Sequence, residues 1–203
     1  MTTEYPQDLQ DVIKFHGHIC PGLAIGYRAA KAAQERLEVP RPEDEELLAI
    51  VESDGCGIDA VQALLGCTLG KGNLIYRDHG KQVYTLISRE RGRAVRVAAK
   101  PGLFDRTPEQ EAVFQKYLNG KASAEEEQTF WTFQKERVKH LMEAKLEDLF
   151  RITDVSPEVP EKARIFRSLI CEYCQEPVME PRARVRDGKV ACICCSEDYG
   201  RGW

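Results

Sequence analysis

The sequence predicts an α+β protein: an antiparallel sheet packed with helices, a projecting helical hairpin, and a small C-terminal zinc ribbon. Three observations carry this reading. Apolar residues recur at helical spacing in the first 40 residues and again between 107 and 150. Between them lie three β-like runs joined by short turns, which favours antiparallel pairing. The chain closes on two Cys-x-x-Cys pairs.

Taken in order, Leu9, Val12 and Ile13 mark one face of a first helix. The segment Phe15-His16-Gly17-His18-Ile19-Cys20-Pro21-Gly22 is irregular. Leu23, Tyr27, Ala30 and Leu37 then line an alanine-rich helix that ends before Pro40. Leu47 to Val51 reads as a buried strand, followed by the turn Ser53-Asp54-Gly55-Cys56-Gly57 and a short helix from Ile58 to Leu65. The three β-like runs are Asn73–Arg77, Gln82–Ser88 and Arg93–Ala98.

Thr107-Pro108-Glu109-Gln110 and Ser123-Ala124-Glu125-Glu126 are capping boxes. They open two helices of a hairpin, the second expected to reach about Phe150. Thr153 to Pro160 holds two prolines and no periodicity, so it reads as a linker. The expected domains are a core over 1–153, with the hairpin at 104–150, a linker over 154–168 and a ribbon over 169–203.

The formal net charge of −4 argues against a general nucleic-acid or membrane-surface binder. The polar stretch Met1–Gln10 lacks the apolar core of a secretory signal, and no apolar run is long enough to span a bilayer. A cytoplasmic location follows as the expectation. There the eight cysteines are metal ligands, catalytic thiols or buried packing residues rather than disulfides.

Cys171 and Cys174 form one pair, Cys192 and Cys195 the other, with seventeen residues between them. Two intervening residues let a tight turn aim both sulfurs at one ion, about 2.3 Å from each. Arg182–Arg186, Asp187-Gly188 and Lys189–Ala191 would join the pairs as a β-hairpin. So short a tail takes its folding energy from the metal, and a structural zinc is expected. Cys194 is a third thiol inside the second knuckle that competes for a ligand role. Arg182, Arg184 and Arg186 would share one strand face, a solvated row or a contact for phosphate or an acidic partner.

A second cluster lies near the other end. His16, His18 and Cys20 alternate, and in extended chain alternate side chains point the same way. Cys20 and Cys56 both stand just ahead of helices, where the helix dipole favours thiolate. These four residues read either as a mixed imidazole–thiolate site for a second transition metal, zinc by donor type, or as local packing. With three protein ligands the fourth position would be open to water or substrate, and a thiol nucleophile paired with a histidine base is a further option. Gly70-Lys71-Gly72-Asn73 lacks the phosphate-loop spacing and reads as a turn placing Lys71 near the cleft. His79 and His140 read as surface residues, and Cys67 has no assigned role.

Phe15-His16-Gly17-His18-Ile19-Cys20-Pro21-Gly22 with Gly26, then Cys56-Gly57-Ile58-Asp59-Ala60-Val61-Gln62, then Gly66-Cys67-Thr68-Leu69-Gly70-Lys71-Gly72-Asn73, together resemble the successive motifs of the FmdE family, named for the E component of formylmethanofuran dehydrogenase. The resemblance implies an α+β core with a helical protrusion, a homodimer, a cleft lined by the motif histidines and cysteines, and association with a molybdenum- or tungsten-dependent enzyme complex. Cys194, where a proline is expected, departs from that pattern and leaves ligand assignment in that knuckle open. The chain has no ferredoxin-type cysteine run and would not run the complex's reaction by itself. The expected function is a metal-binding accessory protein. The alternatives are a free-standing zinc enzyme for hydrolysis or thiol transfer, a metal chaperone or sensor, and, least favoured by charge, a nucleic-acid-binding regulator.

Overall fold

A computed structural model describes residues 5–156 and 158–196. Pro157 of the expected linker, the first four residues, and 197–203 of the expected ribbon lie outside the described residues. The chain divides into two compact units, one up to Lys162 and one from Ala163.

In the first unit α1 (Gln7–His16) and α2 (Pro21–Leu37) precede β1 (Leu47–Val51) and α3 (Gly57–Leu65). There follow β2 (Leu74–Tyr76), β3 (Val83–Ser88), β4 (Arg93–Ala99), α4 (Pro108–Leu118), α5 (Ala124–Glu143), α6 (Leu146–Leu149) and β5 (Phe150–Val155). The sheet order is β2-β1-β3-β4-β5. All neighbours are antiparallel except β1 and β2, which run parallel with Ala49 opposite Leu74. The exception has a local cause: α3 carries the chain across between the two strands, and a crossover returns it in the same direction.

β1 is buried along its whole length. Leu47, Ala49 and Val51 face the helices, where they join Leu23, Leu65 and Leu86 in the main core. Leu48 and Ile50 face the other way and pack with Ile87 and Ala94. The Arg89 guanidinium, just past β3, donates to the carbonyl of Pro160 at 2.6 Å and ties down the segment that follows β5.

Both capping boxes form as the sequence suggests. Thr107 Oγ1 accepts from the Gln110 N–H while the Gln110 side chain accepts from the Thr107 N–H, and Ser123 and Glu126 repeat the exchange. In the hairpin Tyr117 stacks on Phe130 with centroids 3.9 Å apart.

The second helix stops at Glu143, not near Phe150. Arg28 of α2 ends it. Its guanidinium donates to the carbonyls of Leu141 (2.8 Å), Met142 and Ala144 (2.6 Å), groups with no partner within the helix. The chain then makes α6 and enters β5, so part of the expected linker is the edge strand of the sheet. Among the described residues no helix is long and apolar enough to cross a membrane.

The second unit holds two small hairpins, β6 (Ser168–Ile170) with β7 (Pro177–Met179), and β8 (Arg184–Arg186) with β9 (Lys189–Ala191). The turn between β8 and β9 places Asp187 at φ 50° and Gly188 at φ 76°, the left-handed pair that a two-residue hairpin requires. Arg182 lies in a 3₁₀ turn ahead of β8, so only Arg184 and Arg186 of the basic row belong to the strand.

Candidate metal centres

In the second unit each Cys-x-x-Cys sits at the end of a hairpin. Gln175 takes φ 63° and its N–H bonds the Cys171 carbonyl at 2.8 Å, folding the first knuckle tightly. In the second, a 3₁₀ turn over Ile193–Cys195 brings the Cys195 N–H to the Cys192 carbonyl at 3.1 Å. The sulfurs of Cys171, Cys174, Cys192 and Cys195 all lie within 4.8 Å of one another. Those of Cys174 and Cys192 are 3.9 Å apart, close to the separation of about 3.8 Å between thiolates on a tetrahedral zinc. Cys194 is exposed and stands outside this set.

The electrostatics suit a cation. Backbone N–H groups from Cys174, and then from Cys192, hold the Cys171 thiol down at about 6 despite opposing burial. The Cys195 thiol is pushed up to about 12 by the adjacent Cys192 and Cys174 sulfurs. Sulfurs this close resist ionising together unless a positive ion shares them.

The core cluster is assembled by two helix N-termini. Cys20 is the N-cap of α2, with its sulfur accepting the Leu23 N–H at 3.4 Å. Cys56 is the N-cap of α3. Glycines let these ends approach. A Cβ built on Gly26 would lie 2.7 Å from the Gly57 carbonyl carbon, with the Gly57 Cα and oxygen nearer still. One built on Gly22 would lie 3.3 Å from the Cys56 Cβ. Any larger residue at position 26 would separate the two helices and, with them, the two sulfurs.

His16 is the last residue of α1, closed by Gly17 at φ 99°, whose N–H bonds the Ile13 carbonyl at 2.7 Å. The His16-to-Cys20 segment is therefore a helix end and a sharp bend, not the extended run the alternation suggests. The bend returns the Cys20 sulfur to 3.9 Å from His16 Nε2. His16 Nδ1 meets Asp59 Oδ2 at 2.6 Å, and the His16 side chain is only 12% exposed. With the proton on Nδ1 facing Asp59, the Nε2 lone pair faces the sulfurs, the carboxylate–imidazole arrangement that orients metal-bound histidines.

His16, Cys20 and Cys56 have donor atoms within 4.8 Å of one another. A tetrahedral zinc shell would set such donors roughly 3.5–3.8 Å apart, and the His16–Cys20 pair already stands at 3.9 Å. The Cys56 thiol is pushed up, by burial first and then by the Cys20 sulfur. Here too a cation would relieve two sulfurs competing for charge.

His18 stands beside the cluster, its ring tilted against that of His16 with centroids 4.7 Å apart. With Cys20, Tyr117, Trp131 and Lys135 it lines a cavity of about 300 Å³. A second cavity, of about 440 Å³, touches His16, Cys56, Asp59 and Tyr76. Lys71 borders neither; its ammonium donates to the Asp44 carbonyl at 3.3 Å. The turn that carries it is held by fully buried Asn73, which accepts from the Thr68 N–H and donates to the Leu47 carbonyl. Cys67 is fully buried, and burial pushes its thiol up to about 12. His79 is half exposed and pairs with Glu52 at 3.1 Å. In the sequence Asp59 stands out only as a flank of Cys56. Its place three residues on, in the first turn of α3, is the signal that it shares a face with that cysteine.

Comparison with known proteins agrees with this anatomy. Residues 15–151 match the family described as "FmdE, Molybdenum formylmethanofuran dehydrogenase operon", and residues 164–200 match the prokaryotic dksA/traR C4-type zinc finger. A "Probable S-adenosyl-L-methionine-binding protein" of Archaeoglobus fulgidus is 36% identical over 203 residues, an alignment covering 93% of this chain and 53% of the relative. The chain thus spans about half the length of that relative. The crystal structure of a tungsten formylmethanofuran dehydrogenase FmdE-like protein from Syntrophus aciditrophicus superposes with a TM-score of 0.60 at 26% identity, covering 92% of this chain and 89% of that one. With most of its first unit matched and a C4 zinc finger behind it, the chain belongs to the FmdE family.

Proposed function

We propose that this metal-binding FmdE-family protein holds a structural zinc on Cys171, Cys174, Cys192 and Cys195 and a second transition-metal ion, zinc by donor type, on His16, Cys20 and Cys56. We further propose that it serves, as a homodimer in the cytoplasm, as an accessory component of a molybdenum- or tungsten-dependent formylmethanofuran dehydrogenase. The observation that carries the core site is the convergence of one imidazole nitrogen and two sulfurs with Asp59 behind the imidazole. When bound, an ion on three protein donors supplies Lewis acidity at its remaining position. The protein's own part is to fix the donors. Asp59 keeps the His16 proton on Nδ1, and the Gly26–Gly57 approach sets the spacing of Cys20 and Cys56. His18, Tyr117 and Trp131 shape the cavity beside Cys20 where a ligand would enter.

That cavity also supports the second reading, a free-standing zinc enzyme. Its volume and its mixture of aromatic walls with few polar groups suit a small molecule. The S-adenosylmethionine named for the Archaeoglobus relative belongs to a chain about twice as long, and the match does not place it in the shared half.

The test is competition titration of the full chain with a chromophoric zinc chelator. Asp59→Asn should weaken one of two binding events by about 10–100-fold and leave the other unchanged. His16→Ala binding two ions as tightly as wild type would overturn the core site. Co-purification with a molybdopterin-containing complex would favour the accessory role over the free enzyme.

A further inference from the structure

We propose that Cys20 and Cys56 form a reversible disulfide by exchange with a small-molecule disulfide, so that Cys56 is a modification site and Cys20 its resolving thiol. Three features of the structure support this. The two sulfurs belong to one cluster with donor atoms inside 4.8 Å. They bracket a residue with no side chain: a Cβ built on Gly22 would lie 3.7 Å from the Cys56 sulfur and 4.0 Å from that of Cys20. No side chain of residue 22 stands between them there, and the disulfide would draw the sulfurs to roughly 2.05 Å. The two thiols also differ in access, since Cys56 is exposed and Cys20 half-buried, while Cys67, the remaining cysteine of the first unit, is fully buried.

This asymmetry sets the order of steps. Cys56, the exposed sulfur, loses its proton to solvent and attacks one sulfur of the small disulfide, breaking its S–S bond and releasing one small thiol. The Cys20 thiolate then attacks the Cys56 sulfur of the mixed disulfide, forming the Cys20–Cys56 bond and expelling the second small thiol. The two protein thiols give up two protons and two electrons, and the small disulfide leaves as two thiols. The close Gly26–Gly57 approach holds the two helix ends together before the disulfide forms.

The disulfide itself does not depend on a core metal. Only its consequence rests on the function proposed above: once oxidised, the sulfurs no longer serve as thiolate ligands, and His16 remains without them. Exposure to a disulfide would then empty the core site while a thiol reductant restores it.

The experiment strips metal from the full chain with a chelator, incubates it with oxidised glutathione, blocks free thiols with iodoacetamide, and maps the peptides by mass spectrometry. Wild type should yield a Cys20–Cys56 crosslink that dithiothreitol removes. Cys20→Ser should instead keep glutathione on Cys56, and Cys56→Ser should show neither product. Cys20 and Cys56 both recovered in alkylated form, or a lasting glutathione adduct on Cys56 in wild type, would overturn the proposal. Zinc added beforehand should suppress the crosslink. A crosslink forming equally fast with and without zinc would support the disulfide and count against the metal site, so the two failures are told apart.

Discussion

Replacing Gly26 by alanine probes the joint on which the core site depends. The added Cβ would stand 2.7 Å from the Gly57 carbonyl carbon, with two further backbone atoms closer. Carbon atoms rest about 3.5–4.0 Å apart, so α2 and α3 must separate by roughly 1 Å. Neither neighbour can yield by rotating a side chain, because the obstruction is backbone. Gly57 is also hemmed in by the buried Tyr84 ring, whose Cζ would lie 3.1 Å from a Cβ built there. Overpacking of this kind costs about 1–3 kcal/mol. The better helix propensity of alanine returns up to about 1 kcal/mol. The net expectation is a loss of up to about 2 kcal/mol, which for a chain of this size lowers Tm by up to about 8 °C. Zinc affinity at the core should fall by about tenfold or more as Cys20 and Cys56 part, while the ribbon, in a separate unit, keeps its ion. Thermal unfolding and chelator competition on the same variant read both effects. Gly26→Ala with unchanged Tm and two tightly held ions would refute the reasoning.

Further outcomes follow from other polar joints. Arg28→Met leaves the carbonyls of Leu141, Met142 and Ala144 without their guanidinium and should cost about 1–3 kcal/mol in urea unfolding; an unchanged midpoint would show that water serves those groups equally well. Glu52 concerns pH. Burial alone would raise its carboxyl, but the hydrogen bond from His79 and the pairing with Arg96 outweigh this and hold it below its ordinary 4.5. A lowered folded-state value means stability that is present above the unfolded value and lost as pH falls through the folded one. Glu52→Gln should therefore be less stable than wild type by about 1–2 kcal/mol near neutrality, and the gap should shrink in acid. A gap that does not vary with pH would assign the loss to packing rather than charge.

Much of the fold was legible because local signals agreed with the global arrangement. The two capping boxes, the Asp187-Gly188 turn and the paired cysteine knuckles are short-range chemistry, and each appears where the sequence puts it. The end of α5 was not legible, because Leu146, Leu149 and Phe150 continue a helical spacing across the break. What stops the helix is Arg28, more than a hundred residues away in the chain. The parallel pairing of β1 with β2 was hidden for a similar reason, since periodicity marks a strand but not its direction. At the core site the sequence supplied the residue types and the helix-end positions of Cys20 and Cys56. The alternation argument set His16, His18 and Cys20 in one extended run, whereas Gly17 breaks it: His16 meets the Cys20 sulfur, and His18, its ring still against that of His16, lines the adjoining cavity. The pairing of Asp59 with His16 and the Gly26–Gly57 approach arise only when α1, α2 and α3 pack together; the spacing of Asp59 from Cys56 marks a shared helix face but not the imidazole it meets.

The claim that the first unit binds a metal is tested most directly by counting ions in a chain whose ribbon can no longer hold one. Elemental analysis of protein purified with the double substitution Cys171→Ser and Cys174→Ser should find one zinc-type ion per chain, lost when Cys56→Ser is added. If the double variant carries no metal while wild type carries one, the His16, Cys20 and Cys56 site is contradicted and the cluster is packing.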